Sequence, residues 1–238
     1  MPRRPSQLTF HDHRMRTGRG GPRPGAGRPR GPRPRVAHRQ REAVPGSCPV
    51  HVTVRVRPDV PSLRSKKLLR ELQRSWRRAC ERGEFRVVHY SVQRNHVHLL
   101  VEAQGRGALA RGIKSTAARL ARAVNRVHHR TRPVLDGRFH HRTLRTPSEV
   151  RRALAYVLLN ARKHWAEKHR GAAPPMRLDP ASSRRWFDGW RGPPLDVGAH
   201  RVREAREVAP ARTWLLRTGW RRHGLIDPTE LPGRAGAL

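Results

Sequence analysis

The stretch Val50-His51-Val52-Thr53-Val54-Arg55-Val56-Arg57 places valine at every second position. A period of two marks a strand with one apolar and one polar face. Downstream the spacing turns helical: Leu63, Leu69, Leu72, Trp76, Ala79 and Cys80 share one face over residues 63–82, and Gly83 is a terminator. Phe85 to Val92 and Asn95 to Glu102 read as two strands joined by a short turn, a hairpin. Leu109, Ile113, Ala117, Leu120, Val124 and Val127 mark a second long helix. After a loop at 130–137, Arg138 to Arg145 reads as a fourth strand. Thr146-Pro147-Ser148-Glu149 then opens a third helix with a capping box and runs to about residue 168.

The order β-α-β-β-α-β-α predicts an α+β fold. Its first six elements form a ferredoxin-like (RRM-like) split β-α-β core, an antiparallel sheet with helices on one face and the other face open. About 120 residues suffice for one hydrophobic interior. The division expected is a basic arm at 1–44, a folded domain at 45–168 and a Trp-rich extension at 169–238. The extension holds Trp186, Trp190, Trp214 and Trp220, and its one convincing helix spans about 210–218, ended by Gly219.

The chain has 238 residues and a formal charge of +36. Only Lys66, Lys67, Lys114, Lys163 and Lys168 are lysines, so 48 of the 53 basic residues are arginine. This balance excludes an ordinary metabolic enzyme and fits a polyanion partner, nucleic acid above all. Two cysteines, Cys48 and Cys80, give neither a disulfide framework nor a zinc quartet, which fits a reducing cytosol. No apolar run reaches the ~20 residues of a membrane span. Residues 20–35 are almost wholly Gly, Pro and Arg and are expected to remain a solvated arm. Within them Gly27-Arg28-Pro29-Arg30 resembles an AT-hook; a non-specific phosphate-binding tail fits the same residues.

Strand alternation turns Val97, Leu99 and Val101 of the hairpin toward the helices. His96 and His98 then stand side by side on the other face, where two imidazoles could hold one divalent metal. The spacing alone fits two surface histidines equally, and His11-Asp12-His13 repeats it in the arm. On the third helix Val150, Leu154, Val157, Leu158, Ala161 and Trp165 form the apolar stripe. Tyr156 lies about 130° from its centre, outside the core, with Asn160 one turn on and Glu149 and Ala153 on the same face. Tyr90 reads as core. His51, Arg55 and Arg57 project from the polar side of the first strand, and Arg138 and Arg142 from the fourth.

Arg94-Asn95-His96-Val97-His98-Leu99-Leu100-Val101-Glu102 resembles the HUH motif of single-tyrosine, insertion-sequence transposases. Ala155-Tyr156-Val157-Leu158-Leu159-Asn160-Ala161 resembles their catalytic-tyrosine helix. Leu135-Asp136-Gly137-Arg138-Phe139-His140 is similar to a strand of the REP-associated tyrosine transposases. The resemblance covers about residues 46–165. It implies a transposase that cleaves and rejoins DNA through a 5′-phosphotyrosine. Tyr156 would be the nucleophile, and His96, His98 and Asn160 the holders of Mg²⁺ or Mn²⁺. Asn160 stands where relatives often carry the longer Gln. Single-stranded DNA with hairpin or palindromic ends would be the partner, met by Arg55, Arg57, Arg138, Arg142, Lys114, Arg28 and Arg30. The setting would be a bacterial cytoplasm, associated with the nucleoid. Some relatives exchange the tyrosine helix between two subunits, so a homodimer is also implied. The rival reading is a domesticated, non-cleaving DNA- or RNA-binding protein on the same fold. The sheet offers few aromatics for stacking bases, which argues against an RNA-recognition module.

Overall fold

The computed structural model describes residues 42–169, 179–192 and 205–233. All of them fall within the unit His38–Leu238. Arg28, Arg30, His11, His13 and almost the whole of the basic arm lie outside the described residues. The elements follow as β1 (Val50–Arg55), α1 (Lys66–Arg77), β2 (Glu81–Arg82), β3 (Phe85–Val92), β4 (His96–Ala103) and α2 (Gly105–Val127). Then come β5 (His140–Thr143), α3 (Pro147–Leu158), α4 (Asn160–Lys168) and α5 (Trp214–Arg217), with 3-10 turns at Ser183–Trp186 and Gly219–His223. The sheet order is β2-β3-β4-β1-β5, every pair antiparallel. Without the two-residue β2, this is the strand order of the split β-α-β arrangement.

Alternation along β1 and β4 assigns the two sheet faces. Val50, Val52, Val54, Val97, Leu99 and Val101 enter a first core with Leu68, Leu72 and Trp76 of α1 and Leu109, Ile113 and Leu120 of α2. Each such buried side chain contributes roughly 1.5–3 kcal/mol relative to exposure. A bulge between Val87 and His89 of β3 inserts one residue into the alternation. Phe85 and Val87 before it and Tyr90 and Val92 after it therefore share the first core, while Val88 joins the second.

The face expected to be open is covered. A second core packs Val88, Leu100 and Leu144 against Leu154, Val157 and Leu158 of α3 and against Phe187, Trp190, Leu215, Leu216 and Trp220 of the extension. The extension is held by carboxylates. Glu102 of β4 accepts from the backbone N–H groups of Arg212 and Thr213 (2.9 and 2.8 Å), from Thr213 Oγ1 (2.7 Å) and from Arg86 (3.1 Å). Glu207, fully buried, accepts from the Tyr90 hydroxyl and from Arg185, both at 2.9 Å. Arg151 of α3 pairs with Glu230 at 2.9 Å.

Several boundaries differ from the spacing's prediction. Helix α1 begins at Lys66, where Ser65 caps Leu68 N–H, and ends at Arg77 because Glu81 and Arg82 pair with β3. Arg138 and Phe139 belong to the loop before β5, with Gly137 turning at φ +70°. The third helix breaks at Leu159 (φ −109°, ψ 12°) into α3 and α4. The C-terminal helix is only Trp214–Arg217, and Gly219 opens a 3-10 turn rather than ending a helix. A Cβ on Gly219 would lie 2.7 Å from the exposed Trp214 ring, which would have to shift to admit it.

The bulge also buries His89, whose Nδ1 lies 3.2 Å from Ser183 Oγ and whose ring meets Phe187 edge-on. Burial pulls its pKa from 6.5 to about 4, against a small opposing pull from Asp188. The unfolded chain then binds a proton at His89 that the folded chain does not, so stability falls as pH drops from 6.5 to 4. The His89→Gln variant is expected to lose less stability over that window, by on the order of 3 kcal/mol. Urea titrations of both proteins at pH 7 and pH 4.5 measure it; parallel losses would contradict the assignment.

Candidate active site

The second sheet face carries the imidazoles. Antiparallel register places His98 of β4 opposite Thr53 of β1, and His96 opposite Arg55. His98 is 5% exposed. Its Nδ1 lies 3.2 Å from both Thr53 Oγ1 and His51 Nε2. His96 donates its Nδ1–H to Asn95 Oδ1 at 2.8 Å. With both Nδ1 atoms so engaged, the two Nε2 atoms face each other at 3.0 Å. A partner at Nδ1 that fixes tautomer and ring orientation is the usual support of a metal-binding imidazole.

Burial drives these imidazoles to the neutral form. His98 falls to about 2, through desolvation first and then the charges of His51, His96, His164 and Lys163. His96 falls to about 4 by desolvation, Arg55 and His164. His51 falls to about 4 by desolvation and Arg142. Neutral imidazole is the ligating form.

Helix α3 brings the phenol down onto them. The capping box at Thr146 and Glu149 and Pro147 in the first turn start the helix firmly. Tyr156 OH lies 3.5 Å from His98 Nε2, and the two rings meet edge-on at 5.1 Å. Tyr156 is 7% exposed, not a surface residue as its offset from the apolar stripe predicts. The stripe reckons with one covered side, whereas the sheet below and the extension beside it enclose α3 more widely. Burial raises the Tyr156 pKa, the Asn160 amide lowers it, and Glu167 raises it further. The net direction is upward, so the phenolate needs help. The Lys163 ammonium lies over the Tyr156 ring, 5.1 Å from its centroid.

Asn160 is the first residue of α4 and is fully buried. Among the described residues no hydrogen bond of normal geometry reaches its Oδ1 or Nδ2, and its nearest polar neighbour is the Tyr156 phenol, whose pKa it lowers. An orphaned buried amide is costly, at roughly 1–3 kcal/mol, unless a ligand completes it. The paired Nε2 atoms pose the same question, because two lone pairs held face to face repel unless a proton or a cation lies between them. Cis ligands on an octahedral ion at ~2.1 Å sit about 3 Å apart. These residues therefore fit a hard divalent ion. Among the described residues no group of three or more His, Cys, Asp and Glu side chains is disposed to hold a metal.

The other expected residues divide. Arg55, Lys114 and Arg138 line one groove of about 670 Å³ between the C-terminal end of β1 and α2, floored by Val54, Ile113 and Phe139. Arg142 pairs with Glu149 at 2.7 Å and approaches His51 electrostatically. Glu149 itself accepts from Arg145 and Thr146 N–H as the helix cap and does not join the Tyr156 face. Arg57 lies beyond β1 and pairs with Asp59 at 3.2 Å. Thr53, Lys163 and His164 were not singled out by spacing. Thr53 shares the polar face of β1 with His51, and Lys163 follows Tyr156 at the i+7 position, so both were within reach of the same periodicities.

Residues 46–143 match the model of the family described as Transposase IS200 like. The matched stretch contains His96 and His98 and ends before Tyr156. No curated protein matches the chain. A solved structure of a REP-associated tyrosine transposase bound to a REP hairpin is similar at 17% identity and a TM-score of 0.41, over 54% of this chain and 74% of that one. Over residues 46–143 the chain is thus similar to the IS200-like transposases, a similarity that supports a transposase-like enzyme.

Proposed function

We propose that the chain cuts and rejoins single-stranded DNA through a covalent intermediate on Tyr156. The observation that carries this reading is the convergence of the Tyr156 hydroxyl and the His96 and His98 Nε2 atoms on one spot of the sheet face. Arg55, opposite His96 on the neighbouring strand, lines with Lys114 and Arg138 a groove on the α2 side of the sheet, where these cations would neutralise the phosphates of the incoming strand. Arg142, Arg57 and the arm arginines Arg28 and Arg30 add sequence-independent phosphate contacts. Residues 1–44 act as a basic arm, 45–168 as the catalytic domain and 169–238 as its clamp.

Lys163 and Asn160 favour the phenolate at Tyr156 against the burial that opposes it. The phenol proton leaves to water. The Tyr156 oxygen attacks phosphorus, and the bond from phosphorus to the 3′-oxygen breaks. One fragment stays joined to Tyr156 through its 5′-phosphate, and the other leaves as a 3′-OH after taking up a proton. Attack by a 3′-OH reverses the step and rejoins strands without ATP. His96, His98 and Asn160 would hold Mg²⁺ or Mn²⁺, which when bound polarises the scissile phosphate and stabilises its developing charge. The substrate is single-stranded DNA with hairpin or palindromic ends. Among the described residues no helix is long and apolar enough to cross a membrane. The proposed setting is the bacterial cytoplasm, at the nucleoid.

Three variants test this. Wild-type protein with labelled single-stranded hairpin DNA and Mn²⁺ is expected to give a covalent band on a denaturing gel. Tyr156→Phe is expected to give none while binding within about twofold of wild type; an adduct in the variant, or an equal loss of binding, would contradict the nucleophile. Cleavage by His96→Ala is expected to drop at least about 100-fold, and wild-type cleavage to stop in excess EDTA; activity surviving either would remove the metal role. Lys163→Met is expected to slow single-turnover attachment about tenfold, with affinity unchanged. An unchanged rate would mean that Lys163 does not help the phenol ionise.

A further inference from the structure

When a tyrosine oxygen displaces a 3′-oxygen from phosphorus, the departing oxygen must gain a proton. An alkoxide is a stronger base than a phenolate, so this attack expels the poorer leaving group. The reverse step releases phenolate easily but starts from a 3′-OH whose proton must go. A single group that holds and releases a proton at that oxygen serves both directions.

Helix α4 carries such a group. The break at Leu159 makes Asn160 its first residue. Asn160, Lys163, His164 and Glu167 recur at i, i+3, i+4 and i+7, along one side of the helix. Asn160 is buried, and the Lys163 ammonium lies over the Tyr156 ring. The His164 side chain is 49% exposed, open to a substrate. Its Nδ1 lies 3.1 Å from Glu167 Oε2. The carboxylate accepts the Nδ1–H, fixes the ring and leaves Nε2 to exchange a proton. The charge of His164 reaches both His96 and His98. Glu167 raises the Tyr156 pKa and so opposes the nucleophile. What this carboxylate favours is an imidazolium at His164.

The neighbouring imidazoles are already engaged. His98 Nδ1 meets Thr53 and His51, His96 Nδ1 meets Asn95, and their Nε2 atoms face each other. In-line attack sets the nucleophile and the leaving oxygen on opposite sides of phosphorus. Tyr156 meets His98 through its hydroxyl and its ring. The leaving oxygen then departs on the His96 side, where the neighbouring charges are Arg55 and His164.

We propose that His164, oriented by Glu167, protonates the departing 3′-oxygen and takes the proton back when strands rejoin. The bond from phosphorus to the 3′-oxygen breaks and its electron pair stays on oxygen. The Nε2 proton of the His164 imidazolium moves to that oxygen, leaving a neutral ring. Attack by a 3′-OH returns the proton to Nε2 as the Tyr156 phenolate departs. This role rests on the proposed Tyr156 chemistry.

The test is single-turnover attachment in Mn²⁺ on two substrates: single-stranded hairpin DNA, and the same DNA with sulfur replacing the 3′-bridging oxygen at the mapped cut. A thiolate leaves without a proton, so the sulfur substrate bypasses the donor. His164→Gln is expected to slow attachment about 100-fold on the oxygen substrate and less than about threefold on the sulfur substrate. Lys163→Met, which acts on the phenol, is expected to keep its defect on both. Melting temperatures equal to wild type show that the variants fold. Equal defects of His164→Gln on the two substrates, or no defect on oxygen, would overturn the assignment and leave Tyr156 as the nucleophile. No adduct from wild type on either substrate would remove the Tyr156 chemistry and the proton donor with it.

Discussion

Alternation along β1 and β4 is the constraint on which the molecule depends. It sends Val52, Val54, Val97 and Leu99 into one core and leaves His51, Thr53, His96 and His98 on the reverse. Imidazoles on a solvated face would titrate near neutrality and rotate freely. Here α3 and the extension cover that face, so His98 is buried, His51 and His96 are half-buried, and desolvation lowers the pKa of all three. His98 is the centre of the arrangement. It touches β1 through Thr53 and His51, its own strand through His96, and α3 through Tyr156.

The cover is held by unusual means for so basic a chain. Its 17 acidic residues are few against 53 basic ones, and several of them fasten the extension. Glu102 accepts from the Arg212 and Thr213 N–H groups just before α5 and from the Thr213 hydroxyl, which itself caps the helix at Leu216 N–H. Glu207 ties Arg185 to Tyr90, and Glu230 ties the segment after the second 3-10 turn to Arg151 of α3. Asp179 accepts both guanidinium nitrogens of Arg64, at 2.7 and 3.1 Å. Loss of Glu102 leaves the part-buried Arg212 and Thr213 N–H groups unpaired, and loss of Glu207 leaves the buried Tyr90 hydroxyl without its acceptor, so each of these two costs more than its own bond. The extension thus links sequence-distant charge pairs to the geometry at Tyr156.

The strand order and the pairing of His96 with His98 were legible because a period of two is local information. Tyr156 and Asn160 were placed near the sheet by helical period alone, and the break at Leu159 leaves both buried. What the periods could not show is long-range. Nothing local in Glu102 announces its partners at Arg212 and Thr213, more than a hundred residues on. Without that tether the second face reads as open and Tyr156 as exposed. The bulge at Val87 and His89 was hidden for a related reason, since an inserted residue is visible only against its partner strand. Glu149 shows the reverse error: its helical position matched the Tyr156 face, but its carboxylate satisfies the cap and Arg142 first.

The central claim is that burial holds His96 and His98 neutral, with their Nε2 atoms turned to a common point beside Tyr156. Electron paramagnetic resonance of the protein with one equivalent of Mn²⁺ tests it most directly, because coupling to imidazole nitrogen reports direct ligation. The account predicts two nitrogen couplings in wild type, one in His96→Ala, and two in Tyr156→Phe. A spectrum of fully hydrated Mn²⁺, or wild-type couplings that survive in His96→Ala, would contradict it.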